Sequence, residues 1–115
     1  MADSLPLLQG TLDVLVLKTL TWGPAHGYAV ARWIRTTTDE ALAIEDGALY
    51  TSLHRMERRG WIRAEWGLTE DGRRVKTYEI TAAGRDALAD QADQWHRYVA
   101  AVSRVLQPTP GAVHA

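Results

Sequence analysis

The side chains best able to do chemistry in this chain are cations, and they are concentrated. Between His54 and Lys76 lie Arg55, Arg58, Arg59, Arg63, Arg73, Arg74 and Lys76, against Glu57, Glu65, Glu70 and Asp71, a local charge of +3. The whole chain of 115 residues carries −1, so the remainder is acidic. A phosphate backbone docks on local sign rather than on the total, and a guanidinium matches both phosphate oxygens and the acceptor edge of guanine. The other use of such a segment is a solvated helix face followed by a charged hairpin. Chemistry of a different kind lacks its parts. The histidines, His26, His54, His96 and His114, have no metal-ligand spacing, cysteine is absent, and no carboxylate pair or nucleophile–base set emerges. Neither a metal, a cofactor nor an enzymatic activity is expected.

The elements that must position these cations follow from periodicity. Leu8, Leu12, Leu15 and Thr19 recur at helical spacing, widened by Val14, Val16, Leu17 and Leu20, and predict an enclosed first helix from about Leu8 to Thr21. Gly23-Pro24 ends it. A second helix, about Ala25 to Thr36, has Gly27, Val30, Ala31 and Ile34 on one narrow face with Arg32 and Arg35 outside. Thr36 to Asp39 reads as a connection. Asp46 is an N-cap candidate for a third helix starting at Gly47, whose apolar stripe is Leu49, Leu53 and Met56. The opposite side carries Tyr50, Thr51, Ser52, His54, Arg55 and Arg58. Gly60 suits the left-handed position after that helix, with Trp61 folding back on Met56.

Beyond Gly60 the period changes to two. Ile62, Ala64 and Trp66 alternate with Arg63 and Glu65, and Lys76, Tyr78 and Ile80 alternate after a polar tip at Gly67 to Arg73. A β-hairpin is expected there. Thr81 caps a last helix that runs to about Leu106, before Pro108 and Pro110. Leu88, Ala92, Trp95, Val99, Val102 and Leu106 form a heptad seam on it, which asks for a partner helix; packing on the first helix of the same chain is the alternative. The fold class is therefore mainly α with a small β-hairpin. It divides into a winged helix-turn-helix over 1–80, a dimerisation helix over 81–107 and a flexible tail over 108–115. The apolar stretch Leu5 to Leu20 is interrupted by Gln9, Asp13 and Lys18 and is too short to span a bilayer. No secretory signal is read, and the cytoplasm is the default location.

Helices two and three with a basic third helix fit a helix-turn-helix whose third helix enters the major groove. The strings His26-Gly27-Tyr28, Asp46-Gly47-Ala48-Leu49-Tyr50, Leu53-His54-Arg55-Met56-Glu57, Gly60-Trp61-Ile62 and Gly72 through Gly84 resemble the PadR-like transcriptional regulators. The resemblance covers roughly Gln9 to Leu106. It implies a homodimeric winged helix-turn-helix, usually a repressor, of the short class with a single C-terminal dimerisation helix. Thr51 stands where the family often has proline, and Thr77-Tyr78 where its wing often has two aromatics.

On this reading Tyr50, Thr51, Ser52, His54 and Arg55 face double-stranded operator DNA, with hydroxyls on phosphate and Arg55 on a base edge; a solvated arginine is the alternative. Arg73, Arg74 and Lys76 of the wing reach phosphate or the minor groove, or else solubilise a hairpin tip. His26 caps the second helix or meets a phosphate. Trp95 packs in the dimer seam; its second reading follows from family members that hold flat ligands on interface aromatics, which would make it part of a site for a small aromatic effector. A winged-helix module that binds protein or ligand and not DNA is the rival function, kept open by the near-neutral charge.

Overall fold

The computed structural model describes Leu5, Leu7, residues 10–107 and Val113. Helix α1 (Thr11–Leu20) follows Gly10, whose φ of 88° suits a residue without Cβ. The expected start at Leu8 lies outside the described residues, as does nearly all of the 108–115 tail. Val16, Leu17 and Leu20 are buried, Asp13 lies in the first turn and Lys18 in the last, both in line with the helix dipole.

The chain then forms strand β1 (Ala25–His26) before helix α2 (Gly27–Thr37). Periodicity places Ala25 in the helix; instead Ala25 and His26 pair with Tyr78 and Thr77. Two residues are too few to show alternation, so only their partner strand defines them. His26 occupies the N-cap, where Nδ1 accepts from the Ala29 amide at 3.2 Å. The buried face of α2 is Gly27, Val30, Ala31 and Ile34, and the helix runs one residue beyond the expected end.

Helix α3 (Asp46–Arg58) corrects the expected cap: Glu45 holds the N-cap position without a side-chain bond, and Asp46 is the first helical residue. Its carboxylate still favours the N-terminal dipole. The far end closes as expected for Gly60, whose φ is 77°. The Trp61 amide donates to Met56 O and the Gly60 amide to Glu57 O, the paired bonds of a Schellman cap.

Strands β2 (Ile62–Leu68) and β3 (Arg74–Ile80) pair antiparallel from Ile62↔Ile80 to Leu68↔Arg74, and β1 joins on the other edge to give the order β1-β3-β2. The first of these two strands extends to Leu68, two residues past the expected Trp66. Gly72, at φ 83°, turns the tip. Ile62, Tyr78 and Ile80 on one sheet face complete the core with Val16, Leu17, Leu20, Val30, Ile34, Leu49, Leu53 and Met56.

Helix α4 (Ala82–Leu106) starts at Thr81, whose hydroxyl accepts from the Gly84 amide at 3.1 Å and lies 2.6 Å from Gly60 O as donor. This ties the start of α4 to the cap of α3. The seam then divides. Leu88 packs on the core of its own domain, against which α1 also lies, while Val99 and Val102 are 37% and 36% exposed and Leu106 is 76% exposed. The intrachain alternative thus holds for the first part of α4. The rest projects from the domain, and the molecule measures 68 Å along its long axis.

Candidate nucleic-acid interface

The stripe Leu49, Leu53 and Met56 fixes how α3 is rotated against the core, and that rotation decides which side chains face out. Gly47, Thr51, His54 and Arg58 form the outward ridge. Tyr50 flanks it and leans over α2: a Cβ on Gly27 would meet its Oη at 3.2 Å and its ring carbons from 3.3 Å. Glycine at that position lets the tyrosine approach the start of α2 closely. The tyrosine remains 43% exposed.

One expected site residue faces inward and another is held along one edge. Ser52 is 1% exposed and donates to Asp13 Oδ1 at 2.5 Å, so it faces the interior rather than a ligand. Ser52 lies about 60° around the helix from the centre of the stripe. There a small hydroxyl is drawn in by a buried acceptor on α1, which periodicity on α3 alone does not reveal. Arg55 is not a freely solvated arginine: its Nη2 meets Asp13 Oδ1 at 2.5 Å and its Nε meets Oδ2 at 3.3 Å.

The wing contributes along one face. Trp66 and Lys76 are cross-strand partners, and the Arg74 guanidinium lies 4.5 Å from the Trp66 ring centroid. Lys76 Nζ stands 3.4 Å from Glu57 Oε1, linking wing to α3, and 5.5 Å from the Tyr78 ring. Burial of Tyr78 pushes its hydroxyl pKa above 10.0, with the Lys76 charge pulling the other way. Arg73, at the tip, is exposed and 3.4 Å from Asp71. On the opposite face Arg63 pairs with Glu79.

Between α3 and this wing face runs an open groove of about 450 Å³, lined by His26, Tyr28, Tyr50, His54, Trp66, Arg74 and Lys76 among others. Because His26 Nδ1 accepts a bond, its proton is on Nε2, which is left as a donor. Of the residues named from sequence, His26, Tyr50, His54, Arg74 and Lys76 converge on this groove. Thr51 lies beside it on the ridge, Arg73 lies at the wing tip, and Ser52 and Arg55 turn toward α1. Sequence reasoning does not name Trp66, Tyr28, Arg58 or Asp13 as site residues. For Asp13 there is a signal: a lone carboxylate on a largely enclosed helix needs a partner.

The Trp95 ring stacks near Tyr98 on α4, with centroids 6.4 Å apart and planes 28° apart. Among the described residues, no helix is long and apolar enough to cross a membrane.

The model of the PadR-like family of transcriptional regulators matches residues 16–90, from the second half of α1 to the first part of α4. The chain belongs to this family. Its fold is similar to that of a transcriptional regulator from Clostridium thermocellum, with a TM-score of 0.80 at 27% identity over 86% of this chain and 93% of that one. A PadR family transcriptional regulator from Eggerthella lenta matches with a TM-score of 0.74 at 32% identity, covering 88% of this chain and 86% of the other. An uncharacterised protein from Lysinibacillus sphaericus is 28% identical over 89 residues, 77% of this chain and 82% of its own length. This PadR-like regulator therefore carries the winged helix-turn-helix of a DNA-binding transcription factor, with α2 and α3 as the motif, β2 and β3 as the wing and α4 as its long C-terminal helix.

Proposed function

We propose that this PadR-like regulator represses transcription by binding operator DNA as a homodimer, with α3 in the major groove and the wing along the neighbouring backbone. The observation that carries the reading is the continuity of one surface. His54 belongs both to the exposed ridge with Thr51 and Arg58 and to the groove with His26, Tyr50, Arg74 and Lys76, and exposed Arg73 directly precedes Arg74 in the chain. Hydroxyl, imidazole and guanidinium donors of this kind suit phosphate oxygens, and with α3 in the groove the exposed Thr51, His54 and Arg58 would be presented to base edges.

The homodimer reading is supported by the far half of α4, where Val99, Val102 and Leu106 repeat at heptad spacing and are left exposed by the single chain. Trp95, half-buried and stacked near Tyr98 at the start of that exposed stretch, supports a second role for the interface in holding a flat aromatic effector. Effector binding would shift the spacing of the two α3 helices and so the affinity for DNA.

Selection of bound duplexes from random DNA, followed by titration of the selected site over a range of salt, tests the DNA reading. A defined recognition sequence with two related half-sites and steep salt dependence is the expected result. Failure to enrich any sequence would sink it.

A further inference from the structure

Asp13 is 6% exposed on a mostly apolar helix, and the DNA surface described above does not include it. Both of its oxygens are engaged by α3. Oδ1 accepts from Ser52 Oγ and from Arg55 Nη2, each at 2.5 Å, and Oδ2 accepts from Arg55 Nε at 3.3 Å. One edge of the guanidinium is thus held against one carboxylate by two parallel bonds. Among the described residues Nη1 has no partner, and the Arg55 side chain is still 37% exposed. A guanidinium gripped along its Nε–Nη2 edge retains the Nη1 hydrogens and one Nη2 hydrogen, a second pair of parallel donors.

We propose that Asp13 is a positioning residue for sequence reading: it holds Arg55 on the flank of α3 with the free edge presented to the two acceptors of a guanine. The proposal rests on α3 entering the major groove. Charge and entropy both favour base reading over phosphate binding here. With Asp13 beside it, Arg55 is electrically neutralised and attracts a phosphate backbone weakly. Its rotamer freedom is already removed on folding, so little ordering remains to be done on contact with DNA. What the pair offers is direction, which distinguishes one base pair from another. Ser52 completes the device by satisfying the carboxylate from the buried side, which explains a hydroxyl at a position that is otherwise core.

The test uses the full chain, with anisotropy titrations on its selected duplex and on a scrambled one at several salt concentrations. Asp13→Asn releases Arg55 from its counter-charge. Scrambled-duplex binding should tighten, with a log–log salt slope steeper by about one unit per protomer. Binding to the selected duplex should weaken, so that the ratio of the two falls by about tenfold or more. Arg55→Lys keeps the ion pair but has no planar two-donor edge, and should lose preference for G·C at one position in each half-site. Equal weakening on both duplexes for Asp13→Asn would assign Asp13 a purely structural role and overturn the proposal. An unchanged base preference for Arg55→Lys overturns it independently, which covers an Asp13→Asn chain that fails to fold. If the parent chain selects no sequence, the DNA reading and this one fall together; if it selects one that Arg55→Lys reads identically, only this one falls.

Discussion

The packing most sensitive to a single methyl group is at Gly84. This residue sits in the first turn of α4, where the helix crosses the chain just after α3. A Cβ built there would lie 2.0 Å from the Trp61 carbonyl oxygen, 2.8 Å from Ile80 Cγ1 and 2.9 Å from the Trp61 carbonyl carbon. Ile80 is a side chain that can turn, but the Trp61 carbonyl is backbone and accepts from the Thr81 amide at 3.0 Å. The two segments must therefore separate by about 1 Å or more, and overpacking of this kind costs about 1–3 kcal/mol. Because backbone and not a flexible side chain stands in the way, the upper end of that range applies, and after alanine regains about 1 kcal/mol through its helix propensity a net loss of about 2 kcal/mol remains. Gly84→Ala is expected to lower the urea midpoint at fixed protomer concentration by the corresponding amount, with an unchanged slope. Ala83→Gly, at the exposed neighbouring position, is the control and should lose only about 1 kcal/mol, by propensity. Separation at Gly84 also tilts α4 relative to α3, so affinity for the selected duplex should fall in Gly84→Ala and hold in Ala83→Gly. A Gly84→Ala chain as stable as the parent would refute the reasoning, because it would mean that α4 is not seated against Trp61 as described.

Removing the wing cations with Arg73→Ala and Arg74→Ala together should flatten the salt dependence of DNA binding by about 0.9 for each phosphate no longer neutralised; an unchanged slope would place the wing away from the backbone. Val99→Glu puts a carboxylate in the exposed half of the α4 seam, and sedimentation, expected to give a dimer for the parent, should give a monomer for the variant; an unchanged dimer mass would mean the seam is misassigned. Tyr78 titrates above 10.0 in the folded chain, so it binds its proton more tightly there than when unfolded. Its contribution is complete below pH 10 and is lost as pH rises from there through the folded value. Denaturant titrations at pH 9 and pH 11 should show a loss of stability that is smaller in Tyr78→Phe.

Much of the architecture is carried by short-range pattern. The stripe Leu49, Leu53 and Met56 specifies a helix and the face it buries, because residues three and four apart share a side whatever surrounds them. Gly60, at φ 77°, and Thr81, capping Gly84, mark helix ends through bonds that span only a few residues. The hairpin is legible for the same reason, since alternation and an Asp71-Gly72 turn are local. These signals, with the basic segment from Arg55 to Lys76, are enough to point to the third helix and the wing.

The details of the surface are decided at longer range. Strand β1 exists only because β3 offers Tyr78 and Thr77 as partners to Ala25 and His26. Gly27 lets a tyrosine from α3 come close to α2, and Gly84 must be small because the Trp61 carbonyl, just after α3, lies against it. Ser52 and Arg55 belong to the polar side of α3 when that helix is considered alone. They turn toward α1 because Asp13, 39 positions before Ser52 in the chain, is a buried carboxylate that must be paired. Local spacing thus determines which elements form and which stripe each buries. The identity of the side chains left facing outward is settled only by tertiary contacts, because a helix flank becomes interior or surface according to what packs beside it.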